Sequence, residues 1–200
     1  VMSSSAVLDN LIDALCCLPG IGRKSAQRMA LYLIDKNRQG AQEIAQSITD
    51  ALDKVGHCER CRNFSDALLC QTCDNEKRLD GLLCVVETPA DVMAIEASGS
   101  YQGKYFVLLG KLSPIDGIGP DDLGFDLLQQ RLESEPIEEI ILATNPTVEG
   151  DITAQYIADL AALYNIKTSR IAHGVPLGGE LEYVDSGTLA RALNARQLFS

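Results

Sequence analysis

Tryptophan is absent from this 200-residue chain, and aromatic residues make up only 5% of it. Any core must therefore be built mainly from aliphatic side chains. No apolar run approaches the length of a membrane span, and no charged-then-apolar signal follows Val1-Met2, where Met2 reads as the natural start. The expectation is a cytoplasmic protein with no membrane contact. Internal repeats and low-complexity stretches are lacking too. Of the two histidines, His57 abuts a four-cysteine stretch that would saturate a metal without it, and His173, alone at a strand end before Gly174, reads as a hydrogen-bonded structural residue. Nucleotide loops also fail on inspection. Gly110-Lys111 ends like a phosphate loop, but Tyr105 stands where its first Gly is required and Leu112 where Ser or Thr is required. Gly117-Ile118-Gly119 is half a dinucleotide fingerprint, with Pro120 where the helix should open.

What is present suffices for a packed core: 46% of the residues are hydrophobic, and the length suits one or two domains. The net charge of −11 argues against a nucleic-acid partner until its distribution is read. Residues 1–78 are neutral, and residues 79–200 carry the whole excess. Within the neutral part, Arg23, Lys24, Arg28, Lys36 and Arg38 face a single Asp35 between positions 20 and 40. Such a local basic patch can meet phosphates on an acidic protein.

Four of the seven cysteines fall into two Cys-x-x-Cys pairs, Cys58/Cys61 and Cys70/Cys73, with eight residues between them. Zinc takes four thiolates at tetrahedral corners, and each Cys-x-x-Cys turn supplies two of them. Two disulfides or a redox motif compete with this reading. A redox motif needs one such pair beside a strand–helix junction, so the doubled spacing favours structural zinc. A segment as short and as poor in apolar residues as 57–78 needs such a staple. Cys16, Cys17 and Cys84 lie in apolar runs and read as buried small hydrophobes. Arg60, Arg62, Lys77 and Arg78 beside the knuckle leave a secondary DNA contact open.

The N-terminal stretch reads as helices. Val7, Leu8, Leu11, Ile12 and Leu15 form a helical stripe over 6–17, with Ser5 as N-cap. Leu18-Pro19-Gly20-Ile21-Gly22 breaks it. A second helix is predicted from Arg23 to about Asp35, with Ala26, Met29, Ala30 and Leu33 inward. A third is predicted from about Ala41 to Val55, with Ile44, Ile48, Leu52 and Val55 on one stripe. Helix, Gly-x-Gly turn and basic second helix resemble a helix-hairpin-helix. Gly20 and Gly22 let the backbone approach a phosphate, and the free N–H groups of the second helix with Arg23, Lys24 and Arg28 would bind it. An ordinary hairpin with a solvated basic face is the competing reading.

After the cysteines the texture changes. Continuous apolar runs at Leu82–Val86, Tyr105–Leu109, Ile137–Ala143 and Thr168–Ala172 alternate with helical patterns at Ala90–Ala97, Phe125–Glu133 and Thr153–Tyr164. That alternation predicts a parallel sheet with helices on both faces. Residues 174–187 read as loop, and Thr188–Leu198 as a short terminal helix. In such sheets functional groups gather beyond the carboxyl ends of the strands. Glu87 and Asp91 follow the first strand, and Glu149 and Asp151 follow the third. Oxygen ligands from two strand ends suit Mg²⁺, and the arrangement resembles a Toprim domain, with Glu149-x-Asp151 where that family has Asp-x-Asp. Acidic caps on the following helices would explain the same residues. No nucleophile–base set is assembled around them.

Five stretches in order resemble the RecR family: LPGIGRKSAQRMA at 18–30, the four-cysteine knuckle at 58–73, VVETPADVMAIE at 85–96, LSPIDGIGPDDL at 112–123, and RIAHGVPLGGELEYVDSGTLARAL at 170–193. Lys111, before Leu-Ser-Pro, departs from the small residue usual there. The resemblance implies a multidomain α plus α/β chain. Residues 1–56 would be a helix-hairpin-helix region for DNA binding and oligomerisation, 57–79 a four-cysteine zinc finger joining it to the rest, 80–175 a Toprim domain, and 176–200 a C-terminal oligomerisation segment. It implies a non-enzymatic mediator of recombinational DNA repair, working with RecO and RecF as a ring-shaped homodimer or homotetramer near the nucleoid and helping to load recombinase at single-stranded gaps. Lys24, Arg28 and Arg23 would face DNA. Glu87, Asp91, Glu149 and Asp151 would hold Mg²⁺ weakly or meet RecO. The alternative is a Mg²⁺-dependent Toprim enzyme acting on phosphodiesters.

Overall fold

The computed structural model describes residues 5–172, 174–175 and 178–196. His173 and residues 197–200, which include the end of the expected terminal helix, lie outside the described residues. The chain divides between Val55 and Gly56 into two compact units.

The first unit holds α1 (Ala6–Leu15), α2 (Arg23–Asp35) and α3 (Arg38–Lys54). Ser5 caps α1 by accepting from the Leu8 N–H, and α2 spans the predicted residues. α3 starts earlier than predicted because Asn37 caps it, its side chain accepting from the Gly40 N–H. Ile12, Ala26 and Ala30 form a small buried cluster with Leu8, Leu11, Leu15, Cys16 and Ile21 against it. Met29, expected inward, is exposed. The stripe on α3 exists, but Ile44, Ile48, Leu52 and Val55 are all open to solvent, and α3 buries none of its residues.

The second unit opens with β1 (Gly56–His57) and β2 (Phe64–Ser65), an antiparallel pair, and α4 (Gln71–Asp74). An α/β body follows: β3 (Leu79–Val86), α5 (Pro89–Ala97), β4 (Gly103–Val107), α6 (Phe125–Ser134), β5 (Glu139–Ala143), α7 (Val148–Ala162), β6 (Lys167–Arg170) and α8 (Ser186–Asn194). The four strands pair in parallel in the order β4-β3-β5-β6. Alternate side chains leave the sheet on opposite faces. Leu83, Val85, Phe106, Ile140 and Leu142 pack with Leu128 and Leu132 of α6 and Ala154, Ile157 and Ala161 of α7. Cys84, Val86, Tyr105, Val107 and Ala143 pack with Val92 of α5. The runs looked continuous because both faces are covered. α7 begins at Val148 rather than Thr153, since Thr147 caps it by accepting from the Gly150 N–H.

The chain leaves β3 for β4 on one side and then crosses back to β5 on the other. The crevice between the carboxyl ends of β3 and β5 is thus the switch point of the sheet, where α/β folds place ligands.

Candidate nucleic-acid interface and metal centre

The hairpin turn ends α1 at Cys16 and starts α2 after Gly22. Gly20 takes φ +76°, a conformation that β-carbons resist. Gly22 is extended and leaves the start of α2 without a side-chain cap. The first N–H groups of α2 are therefore available beside the positive end of the helix dipole. Arg23 forms an ion pair with Asp13 across the turn. Lys24 and Arg28 are exposed and make no ion pair among the described residues. The basic face is thus centred on Lys24 and Arg28, with Arg23 partly neutralised.

The four cysteines converge. The sulfurs of Cys58, Cys61, Cys70 and Cys73 all lie within 4.8 Å of one another, and among the described residues they form the one cluster of His, Cys or acidic side chains close enough to share an ion. Cys61 Sγ and Cys70 Sγ are 3.5 Å apart, near the edge of about 3.8 Å that a tetrahedron with 2.3 Å Zn–S bonds requires. Hydrogen bonding from Cys61 holds the Cys70 thiol well below its ordinary value, whereas the same contact pushes Cys61 up to about 12. Cys73 is pushed up as well, first by Cys61 and then by Cys70. Four ionised sulfurs so close repel one another unless a dication sits among them. The soft, closed donor set can hold a metal ion and fits zinc. His57 takes no part. Its Nδ1 lies 2.9 Å from the Arg62 carbonyl, and its ring stacks on Phe64.

The knuckle is fastened to the α/β body by cations that sequence reasoning left open as a DNA contact or did not single out. Arg62 takes φ +65°, which turns the chain after Cys61. Its guanidinium donates to the Leu108 carbonyl at 3.2 Å and to the Leu123 carbonyl, and sits over the Phe106 ring. Arg131 is buried, pairs with Glu135 through two bonds, and donates to the carbonyls of Tyr105 and Arg60. Arg60 reaches the same Glu135 at 2.8 Å. Lys104, also buried, joins Asp80 to the Cys73 carbonyl. Arg78 grips Glu96 through both of its terminal nitrogens. Arg60, Arg62 and Arg78 therefore have structural partners within their own unit. The signal available in the sequence was Lys104 and Arg131 standing within apolar patterns. Among the other cysteines, Cys84 is buried and pushed up to about 12 by that burial, whereas Cys17 is exposed, contrary to expectation.

At the switch point Glu87 is buried. It accepts from the Asn145 backbone N–H at 2.8 Å and the Asn145 side chain at 2.7 Å. A β-carbon at Gly150 would strike the Asn145 carbonyl and approach Glu87, so glycine is required where α7 passes this pair. Asp91 is turned away into a capping box, exchanging bonds with Thr88 at the start of α5. Glu149 faces Lys111 at 3.4 Å; its own backbone N–H first, and Lys111 next, hold its carboxyl below the usual range. Asp151 lies between Arg170 at 2.6 Å and Arg191 at 3.2 Å, and Arg170 chiefly holds it low. Each of the four carboxylates already has a partner, and they do not converge as a shared ion site among the described residues.

Residues 8–52 match the RecR helix-hairpin-helix model, 81–172 the Toprim domain model, and 174–197 the RecR C-terminal model. The three occur in this order, with the cysteine cluster in the gap between the first two. The chain belongs to the RecR family. RecR membership fits recombinational repair, DNA binding by the hairpin and zinc binding by the four cysteines. None of the described helices is long and apolar enough to cross a membrane. In RecR terms the matched Toprim region is the sheet with the engaged carboxylates, and the matched C-terminal region contains α8.

Proposed function

We propose that this RecR chain is a non-enzymatic DNA-binding mediator that acts with RecO and RecF, assembles into a homodimeric or homotetrameric ring around DNA, and helps load recombinase at single-stranded gaps in the cytoplasm. The observation that carries the DNA half is the uncapped start of α2 after Gly20–Gly22, with exposed Lys24 and Arg28 one turn apart. Contacts of this kind grip phosphates without reading bases. Self-association is supported by the apolar stripe of α3, with Ile44 50%, Ile48 55% and Leu52 80% exposed, more than a stable isolated helix leaves open. Zinc in the cysteine cluster would be structural, because four protein ligands leave no open position for chemistry.

The enzyme reading is disfavoured by the state of the carboxylates. Asp91 caps a helix, Asp151 is shared by two arginines and Glu149 pairs with Lys111, so Mg²⁺ would have to displace three cations and a cap to gain its ligands. The acidic face is better suited to a partner protein with basic residues, the role expected of RecO.

DNA binding measured over a salt series tests the reading. Lys24→Glu/Arg28→Glu should weaken binding uniformly across sequences and lower the slope of log K against log salt by about 0.9 for each phosphate no longer neutralised. An unchanged slope in that variant would remove the hairpin from the DNA interface. Nuclease, strand-passage or primer-forming product that disappears in Glu87→Gln would instead establish the enzyme.

A further inference from the structure

Asp151 carries a contact that its expected role as a metal ligand or partner site does not explain. We propose that Asp151 is a clasp that straps the C-terminal segment onto its own α/β unit, with Arg191 as the hook and Arg170 as the post that orients the carboxylate, so that docking of α8 is governed by ionic strength. Each carboxylate oxygen serves a different element: Oδ1 accepts from Arg170 at the end of β6, and Oδ2 from Arg191 on α8. Among the described residues of 174–196, this is the one hydrogen bond or ion pair that reaches the rest of the unit.

From Leu181 on, the described residues of the segment are at most half-buried, at Val184, Thr188, Leu189 and Ala192. α8 buries none of its residues, and Leu181, Tyr183 and Leu193 stay exposed. A groove of about 460 Å³ separates Arg191, Asn194 and Ala195 from Arg170, Ile171 and Ala172. Nε of Arg170 is the single buried side-chain nitrogen or oxygen without a hydrogen-bond partner among the described residues. The Arg170 guanidinium is thus set by its bond to Asp151 at the expense of its own complement. The Arg191–Asp151 pair is itself nearly half exposed, so salt reaches it and its strength is modest. A weak single hook, beside only the half-buried Val184, Thr188, Leu189 and Ala192, makes a strap that opens readily.

Hydrogen exchange of the 186–194 amides in the full chain tests the clasp, with solution mass recorded for each sample. Arg191→Ala leaves the Arg170–Asp151 pair intact and should speed exchange there by about 1.5- to 5-fold, the range that an exposed ion pair commands. Asp151→Asn should do the same. In the wild type, protection should fall between about 0.01 M and about 1 M salt, as the screening length drops from about 30 to about 3 Å, while Arg191→Ala should not respond. Unchanged exchange in Arg191→Ala, or an equal salt response in both proteins, would overturn the clasp. Protection that is lost only together with a fall in mass would assign the contact to a neighbouring copy and overturn the strap within one chain.

Discussion

Replacing Arg131 by Met removes the central cation that joins the knuckle to the α/β body while keeping the length of its stem. Arg131 and Glu135 are 8% and 15% exposed, so water compensates little for their separation. Removing one partner of a buried pair costs about 3–5 kcal/mol when the other is left alone. Glu135 here keeps Arg60 at 2.8 Å, which reduces that part to about 1–2 kcal/mol. The carbonyls of Tyr105 and Arg60 lose a charged donor, adding about 1 kcal/mol each. The total of about 3–4 kcal/mol corresponds to a fall in Tm of about 6–16 °C for a protein of this size. Thermal unfolding followed by circular dichroism at neutral pH reads it directly. Arg131→Met/Glu135→Leu should cost less than the sum of its singles, because no carboxylate is then stranded. A loss under about 1 kcal/mol in the single variant, or strict additivity in the double, would show that the buried pair does not anchor the knuckle.

The acid limb of stability should report the same pair. Burial works to raise Glu135, but Arg131 and Arg60 together outweigh it and hold the carboxyl below its ordinary 4.5. A depressed folded value contributes stability above the unfolded value, and that contribution fades as pH falls through the folded one. Denaturant midpoints should therefore decline below about pH 4.5, less steeply in Arg131→Met. Metal analysis should find one zinc per chain. Chelation, or Cys58→Ala/Cys61→Ala, should lower Tm; a site filled at about 1,000 times its Kd contributes about 4 kcal/mol. Full retention of both zinc and stability in that variant would dismiss the cluster. Gly124→Ala should cost about 2–3 kcal/mol, since Gly124 takes φ +68° and its new methyl would strike the Arg62 guanidinium. In an Arg62→Ala background the same change should cost about 1–2 kcal/mol, the backbone part alone.

Local chemistry alone determined a good part of this protein. Cys-x-x-Cys spacing brings sulfurs together within one turn, Gly20-Ile21-Gly22 breaks a helix wherever it stands, and continuous apolar runs announce strands covered on both faces. The hairpin, the cysteine cluster, the parallel sheet and the family were legible for that reason. Cap chemistry displaced two helix starts, at Asn37 and Thr147, because a side chain that accepts an N–H three residues on outweighs the apolar pattern. The fate of the charges was decided only by tertiary structure. Arg60, Arg62, Arg78, Lys104 and Arg131 look like surface cations in one dimension, yet they satisfy carbonyls and carboxylates up to 75 residues away. Asp91 and Asp151 look alike as acids after strands, yet one caps its own helix and the other joins β6 to α8. Charge is printed in the sequence; its partner is set by which chain ends the sheet brings together, and that partner decides whether a cation meets DNA or a carboxylate meets a metal.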